Sequence, residues 1–283
     1  MYSLMNPIEL RVKSEQVCKE HHSKDCIFGN EESFGCPWMI YPGTLKRNSN
    51  CGLCMECVRA CQTDNIALNF RMNRDDLLTE NPKTEEAIRS LLLLGISVIY
   101  PIIFLGTSNS LTSLSNFKTP TEFFVFSLIV AVIFLVIIPA YLYLPNLLFL
   151  RRHGGGKEYE IILSLTLSTL PLGLSGLIGF TLDILSRNAS YAVNTLNDPF
   201  GAGWRLLGIN PLPYSPLFPQ FFSLLSALLL IVGYFLSTRI VDRVSRMYFF
   251  EKPDSDPFFR MMNYIVLFGL TGFMLNGIFG GIL

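Results

Sequence analysis

Long apolar segments fill most of the chain after residue 87, and none occurs before it. Five such segments cover about residues 88–106, 123–150, 161–186, 221–240 and 258–282. Each has at least about 19 residues, which is enough for a helix to cross a hydrocarbon core about 30 Å thick. The pattern predicts an α-helical integral membrane protein with about five transmembrane helices, in contact with membrane lipid.

The first 87 residues have a different composition, because they are polar, charged and rich in turn residues. All seven cysteines of the chain lie there. The sequence therefore predicts two domains, a small N-terminal domain over 1–87 and a transmembrane domain over 88–283. Residues 65–70 alternate small or polar side chains with large apolar ones, which predicts a short strand. Basic and acidic residues balance at 22 each, so no nucleic-acid partner is expected.

Four of the cysteines, Cys51, Cys54, Cys57 and Cys61, have the spacing C-x2-C-x2-C-x3-C. This run is typical of bacterial ferredoxins, in which it holds [4Fe–4S] clusters. A zinc site and disulfide bonds are the alternatives. Zinc motifs usually pair two C-x2-C units across a longer spacer, and a C-x2-C disulfide is more often a redox pair than a structural bond. The spacing favours an iron–sulfur cluster.

A first cluster would need one ligand from outside the four-cysteine run. The fourth cysteine of such a run usually binds the other cluster of a pair, so Cys51, Cys54 and Cys57 require a remote partner. Cys36 is followed by Pro37 and looks like the end of a second, degenerate ferredoxin motif. We therefore expect Cys36 to complete the first cluster.

A second cluster would then take the remaining cysteines, Cys61, Cys18 and Cys26. Its fourth ligand could be His21 or His22, or a non-protein ligand, and a three-iron cluster is a further alternative. The two histidines could equally belong to a solvated loop. Two clusters, each about the size of a [4Fe–4S] unit, are the expected cofactors.

Histidines and charges are scarce in the apolar segments. The only histidine after residue 22 is His153, which follows the second segment, so the paired axial ligands of a haem b are absent and no haem b is expected. Asp183 lies near the end of the third segment, where we expect it at the membrane interface. A stand-alone proton pump would need more buried charges than this.

Basic residues alternate between the connecting loops. Arg and Lys are frequent in the N-terminal domain and in the loops after the second and fourth segments, and they are sparse in the other two loops. The positive-inside rule then predicts a multi-pass protein of the plasma membrane with a cytoplasmic N-terminal domain and the C-terminus outside. The outside loop over 187–220 is rich in proline and aromatic residues. It fits either an interfacial cap or a docking surface for a redox partner.

Residues 18–71 resemble a family of membrane-bound 4Fe–4S proteins. The features that carry this resemblance are the four-cysteine run and the segments Cys18-Lys19, Asp25-Cys26, Gly35-Cys36-Pro37-Trp38, Tyr41-Pro42-Gly43 and Thr63-Asp64-Asn65-Ile66. More distantly, the chain is similar to the membrane polyferredoxins that accompany nitrate and nitrous-oxide reduction. Gln62 departs from the proline that ferredoxin-like motifs usually carry at this position.

The resemblance implies a ferredoxin-like N-terminal domain and a function in electron transport. Such a protein would relay electrons between the quinone pool, or a membrane partner, and a redox partner, as an electron-transfer subunit of an oxidoreductase complex. Partner subunits and a quinone are the implied partners. A redox sensor or a metalloenzyme assembly factor is the alternative function. Longer relatives carry membrane helices ahead of the cluster region, so this chain could be one half of a split protein.

Overall fold

The computed structural model describes residues 6, 8–45, 50–70, 82–104, 119–153, 156–213, 215–216, 218–249 and 256–280. The chain divides into two compact units, Met1–Glu86 and Ala87–Leu283. Each unit has its own core, and the two are described in turn.

The first unit contains a two-stranded antiparallel sheet and short helices. Strand β1 (Ile8–Val12) pairs with strand β2 (Ile66–Phe70) so that Val12 lies opposite Ile66. The strand predicted over 65–70 is confirmed, whereas its partner β1 was not predicted. Between the strands lie helices α1 (Glu15–Glu20), α2 (Asp25–Phe28) and α3 (Glu56–Arg59) and a 3₁₀ turn (Pro42–Thr44). These elements alone do not define a ferredoxin-like domain, which stays a prediction.

The core of the first unit is small. Leu10, Cys57 and Ile66 are its buried members. The partly buried residues packed against them are Val12, Cys26, Leu45, Cys51, Leu53, Val58 and Cys61. Cysteines thus provide a large share of a core that would otherwise consist of a few aliphatic side chains.

The second unit is helical. Its helices are α4 (Thr84–Phe104, which begins at the boundary between the units), α5 (Pro120–Val132), α6 (Ile138–His153), α7 (Glu158–Ser168), α8 (Leu170–Asn197), α9 (Pro219–Phe249) and α10 (Asp256–Gly280). Within the described residues, four stretches are long and apolar enough to cross a membrane: Pro120–His153, Glu158–Asn197, Pro219–Phe249 and Asp256–Phe279.

The four stretches match the second to fifth predicted segments, so the structure supports a helical membrane protein. The first predicted segment, 88–106, falls on α4, and its last two residues lie outside the described part of the chain. The count of five transmembrane helices therefore stays a prediction.

Two of the long stretches contain an irregular turn, and a proline lies beside each. A π-helical turn (Ile133–Ile137) separates α5 from α6 just before Pro139, and the amide of Ile138 donates to the carbonyl of Ile133. Pro139 has no N–H to donate, so regular α-helical hydrogen bonding cannot continue unbroken through this position. In the other stretch the helix is interrupted at Thr169, before Pro171. There the amide of Leu172 donates to the hydroxyl of Ser237 at 3.2 Å.

The helix of the third predicted segment is longer than we predicted. We expected a loop from residue 187, whereas α8 continues to Asn197. The polar residues beyond Ser186 extend one helical face, on which Ser186, Ser190 and Asn197 are all buried. Polarity alone therefore did not mark the end of the helix. The loop over 198–213 then folds back on the helix end, where the side chain of Asn194 bonds both the amide and the carbonyl of Leu212.

Asp183 is buried within the protein, and the membrane-interface position expected for it stays a prediction. Its side chain is 1% exposed and lies between α8 and α9. One carboxylate oxygen accepts from the hydroxyl of Ser223 at 3.1 Å, and the other pairs with the guanidinium of Arg187 at 2.9 Å. A buried carboxylate needs such partners, and here they come from its own helix and from the neighbouring one.

Candidate metal centre

All seven cysteines lie on the short elements of the first unit, and all are free thiols. Cys18 lies in α1, Cys26 in α2, and Cys36 in the loop that follows α2. Cys51 and Cys54 precede α3, Cys57 lies within it, and Cys61 follows it by two residues. Only Cys57 is buried, and Cys54 is exposed at the surface. The first unit thus contains cysteines that are up to 43 positions apart in the sequence, from Cys18 to Cys61.

Cys57 lies among three other thiols. Its pKa is raised to about 12, first by burial and then by the neighbouring thiols of Cys51, Cys36 and Cys54, with the smallest addition from Cys26. The remote cysteine, Cys36, is therefore a neighbour of the run, as the first predicted ligand set requires. We call Cys36, Cys51, Cys54 and Cys57 the first cysteine group.

Cys26 lies among the remaining thiols. Burial raises its pKa to about 11, and the neighbouring thiols of Cys18 and Cys61 and the carboxylate of Asp25 contribute to the increase. Cys61 therefore lies with the upstream cysteines, although it is the last member of the four-cysteine run. We call Cys18, Cys26 and Cys61 the second cysteine group.

The second cysteine group opens onto a cavity. Besides its three cysteines, the residues that line this cavity are His21, Tyr41, Pro42, Ala60, Thr63 and Ile66. His21 is therefore at the site, whereas His22 is exposed and is not among the residues lining the cavity. The structure thus distinguishes the two histidines that the sequence left as alternatives.

Several hydrogen bonds end on the cysteine sulfurs. The amide of Ile40 donates to Cys36 Sγ at 3.4 Å. The amide of Asn65 donates to Cys61 Sγ at 3.3 Å, and its side-chain Nδ2 donates to Cys18 Sγ at 3.1 Å. Donors aimed at sulfur stabilise negative charge there, and in iron–sulfur proteins they are one of the factors that set the reduction potential.

The backbone around the cysteines is strained. Among the described residues of the first unit, five that are not glycine adopt positive φ angles: Lys24, Met39, Leu53, Met55 and Asp64. Leu53 and Met55 flank Cys54 on both sides. Left-handed conformations of such residues are uncommon, and they cluster at functional sites, where the surrounding structure enforces them.

Side chains outside the predicted ligands also support the cysteine loops. The amide of Gln62 donates to the buried carboxylate of Asp25 at 2.7 Å and so links the segment after α3 to α2. A Cβ at Gly52 would lie 2.7 Å from Nε1 of Trp38, so a larger residue at this position would require the indole ring to move. Sequence reasoning missed both contacts, although Gln62 already stood out because it occupies a position usually held by proline.

The donor set fits iron–sulfur clusters in its chemistry. Thiols that raise one another's pKa ionise together less readily, and a bound cation such as iron removes this penalty for coordinating thiolates. Within the described residues, no set of three or more His, Cys, Asp or Glu side chains is arranged to hold a single metal ion. The fit therefore rests on which cysteines are neighbours and on the donors that face their sulfurs.

A comparison of the chain with models of known protein families, with curated proteins and with solved structures finds no match. The resemblance carried by residues 18–71 therefore stays an expectation, and only the arrangement of the site bears on the function.

Proposed function

We propose that this protein is a membrane-anchored iron–sulfur electron-transfer protein. The observation that carries the proposal is the division of the seven cysteines into a group of four around Cys57 and a group of three that line one cavity. Cys36 belongs to the first group and Cys61 to the second, which is the exchange of ligands that a two-cluster ferredoxin motif predicts. A run of four cysteines holding a single cluster would instead keep Cys61 with its neighbours in sequence.

Residues of the first unit would hold two clusters and stabilise the negative charge on their ligand sulfurs. The first cysteine group would bind one cluster and the second cysteine group the other, and bound clusters of this type supply one-electron transfer. The two groups are close to each other, because Cys51 and Cys57 of the first group and Cys26 and Cys61 of the second belong to the same small core. Asn65 and the amide of Ile40 would stabilise charge on the ligand sulfurs.

The membrane helices suggest where the electrons come from or go. A protein with four apolar helices of spanning length can meet a lipid-soluble carrier, so we propose the quinone pool or a membrane subunit at one end of the relay. A separate redox subunit would be at the other end. By the distribution of basic residues, we place the first unit in the cytoplasm and the C-terminus outside the plasma membrane.

The alternative of a redox sensor or assembly factor has one observation in its favour, which is the exposure of Cys54. A sensor needs a cluster that solvent or an oxidant can reach, whereas a relay needs clusters that are reduced and reoxidised without loss. Repeated reduction and oxidation of the purified protein separates the two functions, because a relay keeps its iron through many cycles.

Metal analysis tests the proposal. The full-length protein, purified in detergent without oxygen, should contain about eight irons per chain, or about seven if one cluster has three irons, with matching sulfide. Its reduced form should give iron–sulfur EPR signals. About four irons would mean one cluster, and stoichiometric zinc or the absence of iron would contradict the proposal.

A further inference from the structure

The cavity at the second cysteine group has a fourth donor of the kind that binds iron. Three cysteines leave one position of a four-iron cluster without a protein ligand, and the only histidine that lines this cavity is His21. Imidazole is a known but less common ligand of iron–sulfur clusters. His21 lies in the same cavity as the three cysteines.

The end of α1 explains why His21, and not His22, reaches the cavity. Cys18 lies in the last turn of α1, and His21 caps the helix three residues later, with its amide donating to the carbonyl of Val17 at 3.1 Å. Residues three apart share one side of a helix. At His21 the backbone becomes extended, with φ −81° and ψ 112°. Neighbouring side chains alternate in direction along an extended chain, and His22 is exposed.

The second ring nitrogen of His21 has a partner of its own. The hydroxyl of Ser23 lies 3.2 Å from Nε2. A histidine that ligates a metal usually donates its other ring N–H to a hydrogen-bond acceptor, which fixes the tautomer and the orientation of the ring. If Nε2 carries the proton that is donated to Ser23, then Nδ1 is the nitrogen that is left for iron.

The spacing in the sequence agrees with this position. Cys18 and His21 are separated by two residues, as Cys51 and Cys54 are in the four-cysteine run. His21 thus occupies, relative to Cys18, the place that a cysteine occupies in the other ligand set.

We propose that His21 is the fourth protein ligand of the second cluster, bound through Nδ1. This inference rests on the proposed function. A neutral imidazole replaces a negative thiolate, and such replacement raises the reduction potential of a cluster. The second cluster would therefore have a higher potential than the first, so electrons would pass from the first to the second.

Pulsed EPR of the reduced, full-length protein tests the inference, because a directly bound imidazole gives a strong ¹⁴N hyperfine coupling. The coupling should be present in the wild type and in His22→Ala, the matched control, and absent in His21→Ala. A second variant, His21→Cys, should keep the full iron content, lose the coupling and lower the potential of one cluster only. This variant separates loss of a ligand from failure to fold.

The outcomes also separate this inference from the proposed function. Two clusters without a strongly coupled nitrogen, or a coupling that survives in His21→Ala or disappears in His22→Ala, would overturn the role of His21 and leave the relay intact. A protein that binds no iron would overturn both.

Discussion

Among single residues, Asn65 forms hydrogen bonds to two of the three sulfurs in the second cysteine group and to the start of α1. It is 4% exposed, and it donates to the sulfurs of both Cys18 and Cys61. Its side chain also bonds both backbone groups of Ser14, the amide at 3.0 Å and the carbonyl at 2.7 Å. One buried asparagine thus holds the start of α1 in place through its side chain. Its side chain also donates to the sulfur of Cys18, and its backbone N–H donates to the sulfur of Cys61.

Replacement of this donor should change one reduction potential. In Asn65→Asp the acceptor for the amide of Ser14 is kept, while a carboxylate replaces the N–H that faces Cys18. We expect the potential of the second cluster to fall by roughly 40 mV or more, since about 1 kcal/mol of lost stabilisation corresponds to that shift for a one-electron couple. Asn69→Asp, on the exposed part of β2, is the control for added charge. Redox titration followed by EPR gives both potentials, and equal shifts of both clusters would contradict this role.

At the scale of elements, small residues let the helices of the second unit approach one another closely. A Cβ on Gly173 of α8 would lie 3.0 Å from the backbone nitrogen of Leu94 in α4. Ser97 of α4 donates to the carbonyl of Gly173 at 2.5 Å, and Ser226 of α9 donates to the carbonyl of Gly179 at 2.6 Å. Small residues and interhelical hydrogen bonds of this kind are what holds helices together in lipid, where apolar burial gives little advantage.

A large side chain at Gly173 should therefore separate α4 from α8. We expect Gly173→Leu to lower the unfolding free energy in detergent by about 2–3 kcal/mol, because the facing atoms belong to the backbone and cannot move aside. Gly272→Leu in α10 is the matched control, since nothing lies within 4 Å of a Cβ at that position. Thermal unfolding followed by circular dichroism compares the two variants, and equal stabilities would show that the approach of α4 to α8 is not tightly constrained.

At the scale of the whole molecule, the two units depend on different interactions. The second unit buries long helices against one another, whereas four of the ten members of the core in the first unit are cysteines (Cys57, Cys26, Cys51 and Cys61). A core with so few aliphatic side chains is expected to need bound metal to stay folded.

Removal of the proposed clusters should accordingly unfold the first unit alone. After treatment with an oxidant and a chelator, trypsin should cleave the chain at sites such as Lys24 and Arg59, while the helical circular dichroism of the second unit persists. Untreated protein should resist cleavage at these positions. If both forms are cleaved at the same rate, the clusters do not stabilise the fold.

Much of the architecture follows from local sequence because a membrane helix needs only length and apolarity. The stretches found at Pro120–His153 and Pro219–Phe249 could be predicted for that reason. The pairing of β1 with β2 could not, because it joins residues 8–12 to residues 66–70 and nothing near either strand specifies its partner. The burial of Asp183 depends in the same way on Ser223, which is 40 positions away.

The candidate site shows the same contrast. The spacing of the four-cysteine run is local and predicts a cluster directly, whereas the choice between His21 and His22 depends on how α1 ends. The hydrogen bonds of Asn65 join positions 47 residues apart at Cys18, and no pattern in the sequence marks them. Ligand types can thus be predicted from spacing, but the donors around them depend on the folded chain.

Selective replacement of cysteines, read by EPR of the reduced protein, tests the division into two ligand sets most directly. Cys36→Ser should alter the same cluster signal as Cys54→Ser, and Cys61→Ser should alter the signal that Cys18→Ser alters. The account would be contradicted if Cys61→Ser and Cys54→Ser affected one and the same cluster, or if Cys18→Ser kept its full iron content and both signals.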